Sequence, residues 1–195
     1  MASLKEVKNR IASVNGTRKI TSAMKMVASS KLHRAQQAIE SMRPYESRLE
    51  KMMTTFVRSM EGDLVSPYAV QREMKRVALV LYTSNSSLCG GFNGNAIKAF
   101  RKLVEKYRSE EVEIVKVFSI GKKGAEAVRK LNLADVTEKS ALLDHPNYED
   151  AARIAADLMA LYSSGSIDCA KLVYHHFKSA ASQVLREETF LPVTF

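Results

Sequence analysis

Leu4-Lys-Glu-Val-Lys-Asn-Arg-Ile-Ala-Ser-Val14 opens a heptad pattern that continues as far as Met60. With Leu4 at position a, the a positions are Leu4, Ile11, Arg18, Lys25, Leu32, Ile39, Glu46, Met53 and Met60. The d positions are Val7, Val14, Thr21, Ala28, Ala35, Met42, Leu49 and Phe56. Thirteen of these 17 are apolar. The rest of the segment is mostly Ala, Met, Leu, Lys, Arg, Glu, Gln and Ser, which form helices readily. The pattern therefore predicts one long coiled-coil helix. Gly16 and Pro44 are its only glycine and proline, and Pro44 predicts a kink or a break near Met42–Arg43.

The seam is drawn by Leu4, Val7, Ile11, Val14, Ala28, Leu32, Ala35, Ile39 and Met42. Arg18, Thr21 and Lys25 interrupt it at three consecutive positions. A helix–helix seam does not desolvate two cations without partners. Either the mate supplies acids there, or the stretch faces something other than a helix, or it is a solvated gap in a loose seam. The mate itself is missing from the pattern, because no later helical stretch exceeds about 18 residues. It must be another molecule, a second copy or a segment outside this sequence.

Beyond the helix the period changes. Glu61-Gly-Asp-Leu-Val-Ser-Pro-Tyr68 carries two breakers, Gly62 and Pro67, and residues 62–75 read as a linker between a helix over 1–61 and a domain over 76–195. Arg76–Thr83 is nearly all apolar, as a strand covered on both faces should be. Helices are expected at Asn93–Arg108, Gly121–Leu131 and Tyr148–Tyr162. Further strands are expected at Val112–Ile120, Asp135–Thr137, Cys169–Phe177 and Val184–Phe190. This alternation predicts a Rossmann-like three-layer α/β domain, with the last two strands an antiparallel pair at the sheet edge. The fold class is therefore α/β, a long N-terminal coiled-coil helix followed by that domain.

Charge points to a partner. The 195 residues carry a net +9, of which residues 1–60 hold +8 and the remainder +1. A basic helix attracts nucleic acid, an anionic membrane or an acidic protein surface. No apolar run approaches the roughly 18 residues that span a bilayer, and the first residues have neither a signal core nor an import-like composition. Cys89 and Cys169 form no CxxC, so a reducing compartment is the simpler reading.

Catalytic chemistry finds little support. Leu88-Cys-Gly-Gly-Phe-Asn-Gly-Asn95 falls between a strand and a helix, where a dinucleotide loop would lie. Cys89 takes the place of its first glycine, and no acid follows the second strand. Cys89, Gly90 and Gly91 read instead as a tight turn, with Cys89 a small buried thiol. His175 and His176 are neighbours on a strand and point to opposite faces, one toward the core and one outward, so they cannot share a metal. No metal site, no cofactor and no catalytic group is expected.

Residues 11–31 read Ile-Ala-Ser-Val-Asn-Gly-Thr-Arg-Lys-Ile-Thr-Ser-Ala-Met-Lys-Met-Val-Ala-Ser-Ser-Lys. This stretch closely resembles the N-terminal helix of the gamma subunits of F-type ATP synthases. Arg43-Pro-Tyr45 and Leu88-Cys-Gly-Gly91 with Asn93 match as well. The resemblance implies a central rotor shaft that performs no bond chemistry. In that family it stands on the membrane c-ring, is bound by the epsilon subunit and rises into a ring of alpha and beta subunits. Its rotation couples proton flow to ATP synthesis. The resemblance also implies that the shaft is completed by a C-terminal helix in a further stretch of roughly 90 residues following Phe195, so the sequence reads as a fragment.

On the same resemblance, Arg18, Lys19, Thr21, Met24, Lys25 and Lys31 are the expected contacts with acidic loops of the beta subunits. The expected location is peripheral, on the cytoplasmic face of a bacterial inner membrane or its matrix or stromal equivalent. The family's acid, base and glycine before Leu88 are replaced by Asn85-Ser-Ser87, which removes any ion pair they would make. The alternative reading is a nucleic-acid-binding protein with a basic helix, although its cations are spread along the whole helix without an aromatic platform.

Overall fold

The computed structural model describes residues 3–59 and 66–194. Met1, Ala2, Met60, residues 61–65 and Phe195 lie outside the described residues, and with them the first part of the expected 62–75 linker. The chain divides into two compact units, Met1–Asp63 and Leu64–Phe195.

The first unit is a single helix, α1, over Leu4–Ser59. Its 56 residues span about 84 Å at ~1.5 Å each. The Ser3 hydroxyl accepts from the Glu6 N–H at 3.3 Å, a capping bond for one of the first-turn donors. Pro44 lies inside α1, which continues through it, so of the expected kink or break the break does not occur. Proline removes one N–H from the ladder, and here the turns on either side carry the helix through.

The second unit is a five-stranded sheet between helices. In chain order it comprises β1 (Arg76–Tyr82), α2 (Phe92–Ser109), β2 (Glu113–Ile120), α3 (Lys122–Arg129), β3 (Val136–Glu138), a 3-10 turn (Ser140–Leu143), α4 (Tyr148–Ser163), β4 (Cys169–Ser179) and β5 (Ser182–Leu191). The strand order is β3-β2-β1-β4-β5. The first four strands of that order are mutually parallel, and β5 runs antiparallel to β4.

β1 is the middle strand, and its residues show why an unbroken apolar run suits that place. Val77, Leu79 and Leu81 pack on one side against Phe100, Leu103, Val104 and Tyr107 of α2 and Val128 of α3. Ala78 and Val80 pack on the other side against Ile154, Leu158 and Tyr162 of α4. Both faces of the sheet are thus covered, which is the three-layer arrangement expected from the sequence. Residues 66–75 belong to this unit and are bonded to it: the Asp168 carboxylate accepts from the Lys75 N–H at 3.2 Å and the Arg76 N–H at 2.9 Å.

Candidate functional site

The feature of α1 that calls for a partner is its bare seam. Of the nine apolar seam residues, Ile39 is half-buried and the other eight are exposed, Leu4 by 74% and Val14 by 62%. Exposed apolar residues are ordinary one at a time, but a continuous stripe of them marks an interaction surface.

The polar interruption sits on the same stripe. Arg18, Thr21 and Lys25 fall within an arc of about 60° on a regular helix. With Val14 and Thr17 they line one shallow groove on the helix surface. The threonines turn inward: the Thr17 hydroxyl donates to the Ser13 carbonyl at 3.1 Å and the Thr21 hydroxyl to the Thr17 carbonyl at 2.9 Å. That leaves their methyl groups outward and the two cations as the polar groups offered to a partner. Lys19 stands about 100° to one side, and Met24 and Lys31 about 120–140° to the other. The six predicted contact residues therefore form a collar around about 20 Å of helix rather than one face. Among the described residues, Arg18, Lys19, Lys25 and Lys31 make no ion pair.

The second unit places its loops at the carboxyl ends of the parallel strands, where ligands and partners meet α/β sheets. The loop after β1 ends in the predicted turn. Gly90 has φ +56, a left-handed conformation that favours glycine, and Gly91 is the N-cap of α2. Asn93, buried in the first turn of α2, holds the loop from behind. Its Oδ1 accepts from the Ser84 N–H at 2.8 Å, and its Nδ2 donates to the Ser84 hydroxyl at 2.9 Å and the Ser86 carbonyl at 2.8 Å. Asn85 joins three loops: it accepts from the Lys122 N–H at 3.0 Å and donates to the Ser140 carbonyl at 3.1 Å and to Asp144 at 3.3 Å. A neutral amide thus links these loops at the place where the family's acid and base are absent.

Two expectations at this end need correction. Cys89 is half-buried, not buried, because it sits on the loop, where its Sγ lies 3.7 Å from the Ser84 hydroxyl and the Ser86 carbonyl. His175 and His176 are both half-buried on β4, alongside β5, so neither is fully in the core or fully exposed. His175 stacks on Phe92 with ring centroids 4.2 Å apart, its Nδ1 is buried without a hydrogen-bond partner among the described residues, and burial lowers its pKa. Among the described residues, no group of three or more His, Cys, Asp or Glu side chains is placed to hold a metal ion.

The profile of the family described as ATP synthase matches residues 3–195. The chain is 52% identical over 193 residues to the ATP synthase gamma chain of Phocaeicola vulgatus, covering 99% of this chain and 66% of that one. It is 40% identical over 194 residues to the ATP synthase gamma chain of Parabacteroides distasonis, covering 100% of this chain and 67% of that one. This chain belongs to the ATP synthase gamma-chain family. It spans about two thirds of the length of the curated gamma chains it matches. Among solved structures it is similar to a chain of the Tetrahymena thermophila mitochondrial ATP synthase central stalk and c-ring, with a TM-score of 0.66 and 26% identity over 89% of this chain and 72% of that one. The gamma-chain relationship fits the long helix and the α/β unit together, and gives no support to nucleic-acid binding. Among the described residues no helix is long and apolar enough to cross a membrane.

Sequence reasoning missed several residues that shape this gamma chain. Arg72, Asp168 and Tyr162 bond to one another's neighbourhoods across 90 or more positions, and nothing local announces such a link. Asn93 was visible only as a matching letter in the gamma-family motif. Its burial next to an exposed loop is what reveals its work.

Proposed function

We propose that this chain supplies the N-terminal half of the shaft and the α/β foot of a rotary ATP synthase central stalk. The observation that carries the reading is the uncovered apolar seam of α1 in a chain of the gamma family. A helix about 84 Å long with an unmet seam is a strut waiting for its mate, and the mate is the segment by which the curated gamma chains are longer.

The shaft transmits rotation between the membrane c-ring and a ring of alpha and beta subunits, and proton flow drives ATP synthesis there. The chain contributes stiffness and contact, not bond chemistry. Its collar of Arg18, Lys19, Lys25 and Lys31, with Thr21 and Met24 between them, meets acidic loops of the beta subunits. Exposed ion pairs of this sort contribute about 0–1 kcal/mol each, enough to guide a surface without locking it. The foot, with its turn at Cys89, Gly90 and Gly91, meets the epsilon subunit and the c-ring. The chain is thus held at the membrane by its assembly, on the cytoplasmic face in a bacterium.

Copurification tests this. The chain as given, and a version extended to the length of its relatives, are each coexpressed with alpha and beta subunits. The extended version should yield a complex whose ATP hydrolysis is coupled to rotation, and the chain as given should not. Failure of the extended version to assemble would count against the reading.

A further inference from the structure

Charge is laid unevenly over the second unit. The helix α2 and the stretch Lys122–Lys130, which is α3 with its C-cap, together carry nine Lys or Arg against two Glu, a net +7. The remainder of residues 66–194 carries nine Lys or Arg against thirteen Asp or Glu. Both helices cover the same face of the sheet, so the excess forms one basic surface. Four of its cations are answered within the unit. Lys106 pairs with Glu110 at 3.9 Å, Lys123 with Glu126 at 3.0 Å and Arg129 with Glu138 at 2.6 Å, and Arg108 donates to the Leu131 carbonyl at 2.7 Å. The side chains of Lys98, Arg101, Lys102, Lys122 and Lys130 are exposed and have no partner among the described residues.

A groove of about 340 Å³ lies within this surface, between the two helices. Ile97 and Arg101 line it from α2, Lys123 and Lys130 from α3 and its cap, and Cys89 from the loop after β1. Ile97 and Arg101 are four residues apart, and Lys123 and Lys130 seven, so each pair shares one face of its helix. Lys123 is answered by Glu126, which leaves the Arg101 guanidinium and the Lys130 ammonium as the unpaired cations of the groove. Beside Cys89 stands Leu88, 83% exposed. It is the only large apolar side chain so exposed on α2, α3 or the loop that precedes α2.

We propose that the α2–α3 face docks on anionic phospholipid, with a headgroup phosphate in the groove between Arg101 and Lys130 and Leu88 dipping into the headgroup layer. Anionic leaflets attract clustered Lys and Arg, a guanidinium fork matches phosphate oxygens, and an apolar side chain beside the cations adds burial. A protein partner would draw its affinity from a buried apolar or aromatic centre, which this face lacks apart from Leu88. A leaflet is also fluid, so a turning foot can sweep over it without register. The proposal rests on the reading above, which sets the Cys89–Gly91 turn against a c-ring that lipid surrounds.

The test reads the alkylation rate of Cys89 by N-ethylmaleimide in the chain as given; the other thiol, Cys169, is buried. Attachment through basic α1 alone would not cover Cys89, so the readout reports this face. Phosphatidylcholine vesicles containing about a quarter phosphatidylglycerol should slow alkylation about tenfold or more, and pure phosphatidylcholine should not. The protection should shrink at about 0.5 M salt. Arg101→Gln with Lys130→Gln should abolish it at an unchanged urea midpoint, because both side chains are exposed and unpaired. Leu88→Ala should raise the lipid needed about tenfold. Arg153→Gln, the same charge change on α4 across the sheet, should leave protection intact. Unprotected Cys89 with the anionic vesicles overturns the proposal, as does equal protection in the Arg101→Gln, Lys130→Gln chain. Equal protection by inorganic phosphate at the same phosphate concentration overturns it in favour of a free anion, and better protection by poly-glutamate in favour of an acidic protein. The assembly test of the shaft reading uses no vesicles, so the two can fail separately.

Discussion

Gly121 lies directly against Thr83: a Cβ on Gly121 would fall 2.4 Å from the Thr83 carbonyl oxygen and 2.6 Å from its hydroxyl. The contact joins the loops after β1 and β2. The Thr83 N–H donates to the Ile120 carbonyl at 2.8 Å, and the Thr83 hydroxyl accepts from the Gly124 N–H at 2.8 Å. Gly121 also has φ +112, which side-chain-bearing residues rarely adopt. Gly121→Ala should therefore cost about 2–4 kcal/mol through clash and backbone strain together. Urea denaturation of the chain reads this as a lower midpoint, and an unshifted midpoint would contradict the packing described.

Asn93 makes a prediction of the opposite kind, since it fills space rather than vacating it. Asn93→Ala removes three hydrogen bonds and leaves the Ser84 N–H and the Ser86 carbonyl without their partner. The expected loss is about 1–3 kcal/mol. Hydrogen exchange should quicken first at Ser84–Cys89. Protection there equal to that of the unsubstituted chain would show that the loop is held by something else.

Asp168 predicts an acid dependence. Burial by itself raises this carboxyl, but hydrogen bonds from the Arg76 guanidinium and the Lys75 and Arg76 N–H groups outweigh it and hold the pKa below the ordinary aspartate value. A depressed folded pKa means that the unfolded chain binds the proton more readily. The contribution is therefore complete above the unfolded value of about 3.9 and is lost as pH falls from there through the folded value. Asp168→Asn should lower stability at neutral pH by about 1–3 kcal/mol and flatten the decline below about pH 4. Denaturation midpoints across pH 2–7, about the range where carboxylates titrate, measure both. An equally steep acid decline in the variant would assign it to other carboxylates.

The collar on α1 predicts a salt effect. Neutralising Arg18, Lys19, Lys25 and Lys31 together, each to Gln, should weaken assembly or coupling with alpha and beta subunits at low ionic strength. At about 0.5 M salt the difference should shrink, because exposed charges are screened within a few ångströms. Unchanged affinity and coupling at low salt would remove the collar from the contact.

Much of the architecture was legible because periodicity is a local signal. The stripe from Leu4 to Phe56 announced α1, and the unbroken Val77–Leu81 run announced a strand with both faces covered. The antiparallel β4–β5 edge and even the short β3 were placed within a few residues. The 3-10 turn at Ser140–Leu143 was not, since four residues carry no period. Pro44 left open in the sequence whether α1 would kink or break there, and the helix continues past it. Of the candidate contacts, the sequence could mark Arg18, Thr21 and Lys25 as breaks in a seam. Lys19, Met24 and Lys31 fall at other positions of the same heptad, and only the family resemblance singled them out. The bond from the Arg72 guanidinium to the Tyr162 carbonyl depends on where α4 ends, which only the folded unit reveals.

Rotation itself is the sharpest measurement. The chain, extended to the length of its relatives, would be assembled with alpha and beta subunits on a surface and carry a fluorescent reporter on the exposed α2 residue Lys98. The shaft account predicts that ATP makes the reporter turn in one direction, in discrete steps, and that it stops when ATP is removed. A complex that assembles and hydrolyses ATP while the reporter stays still would contradict it.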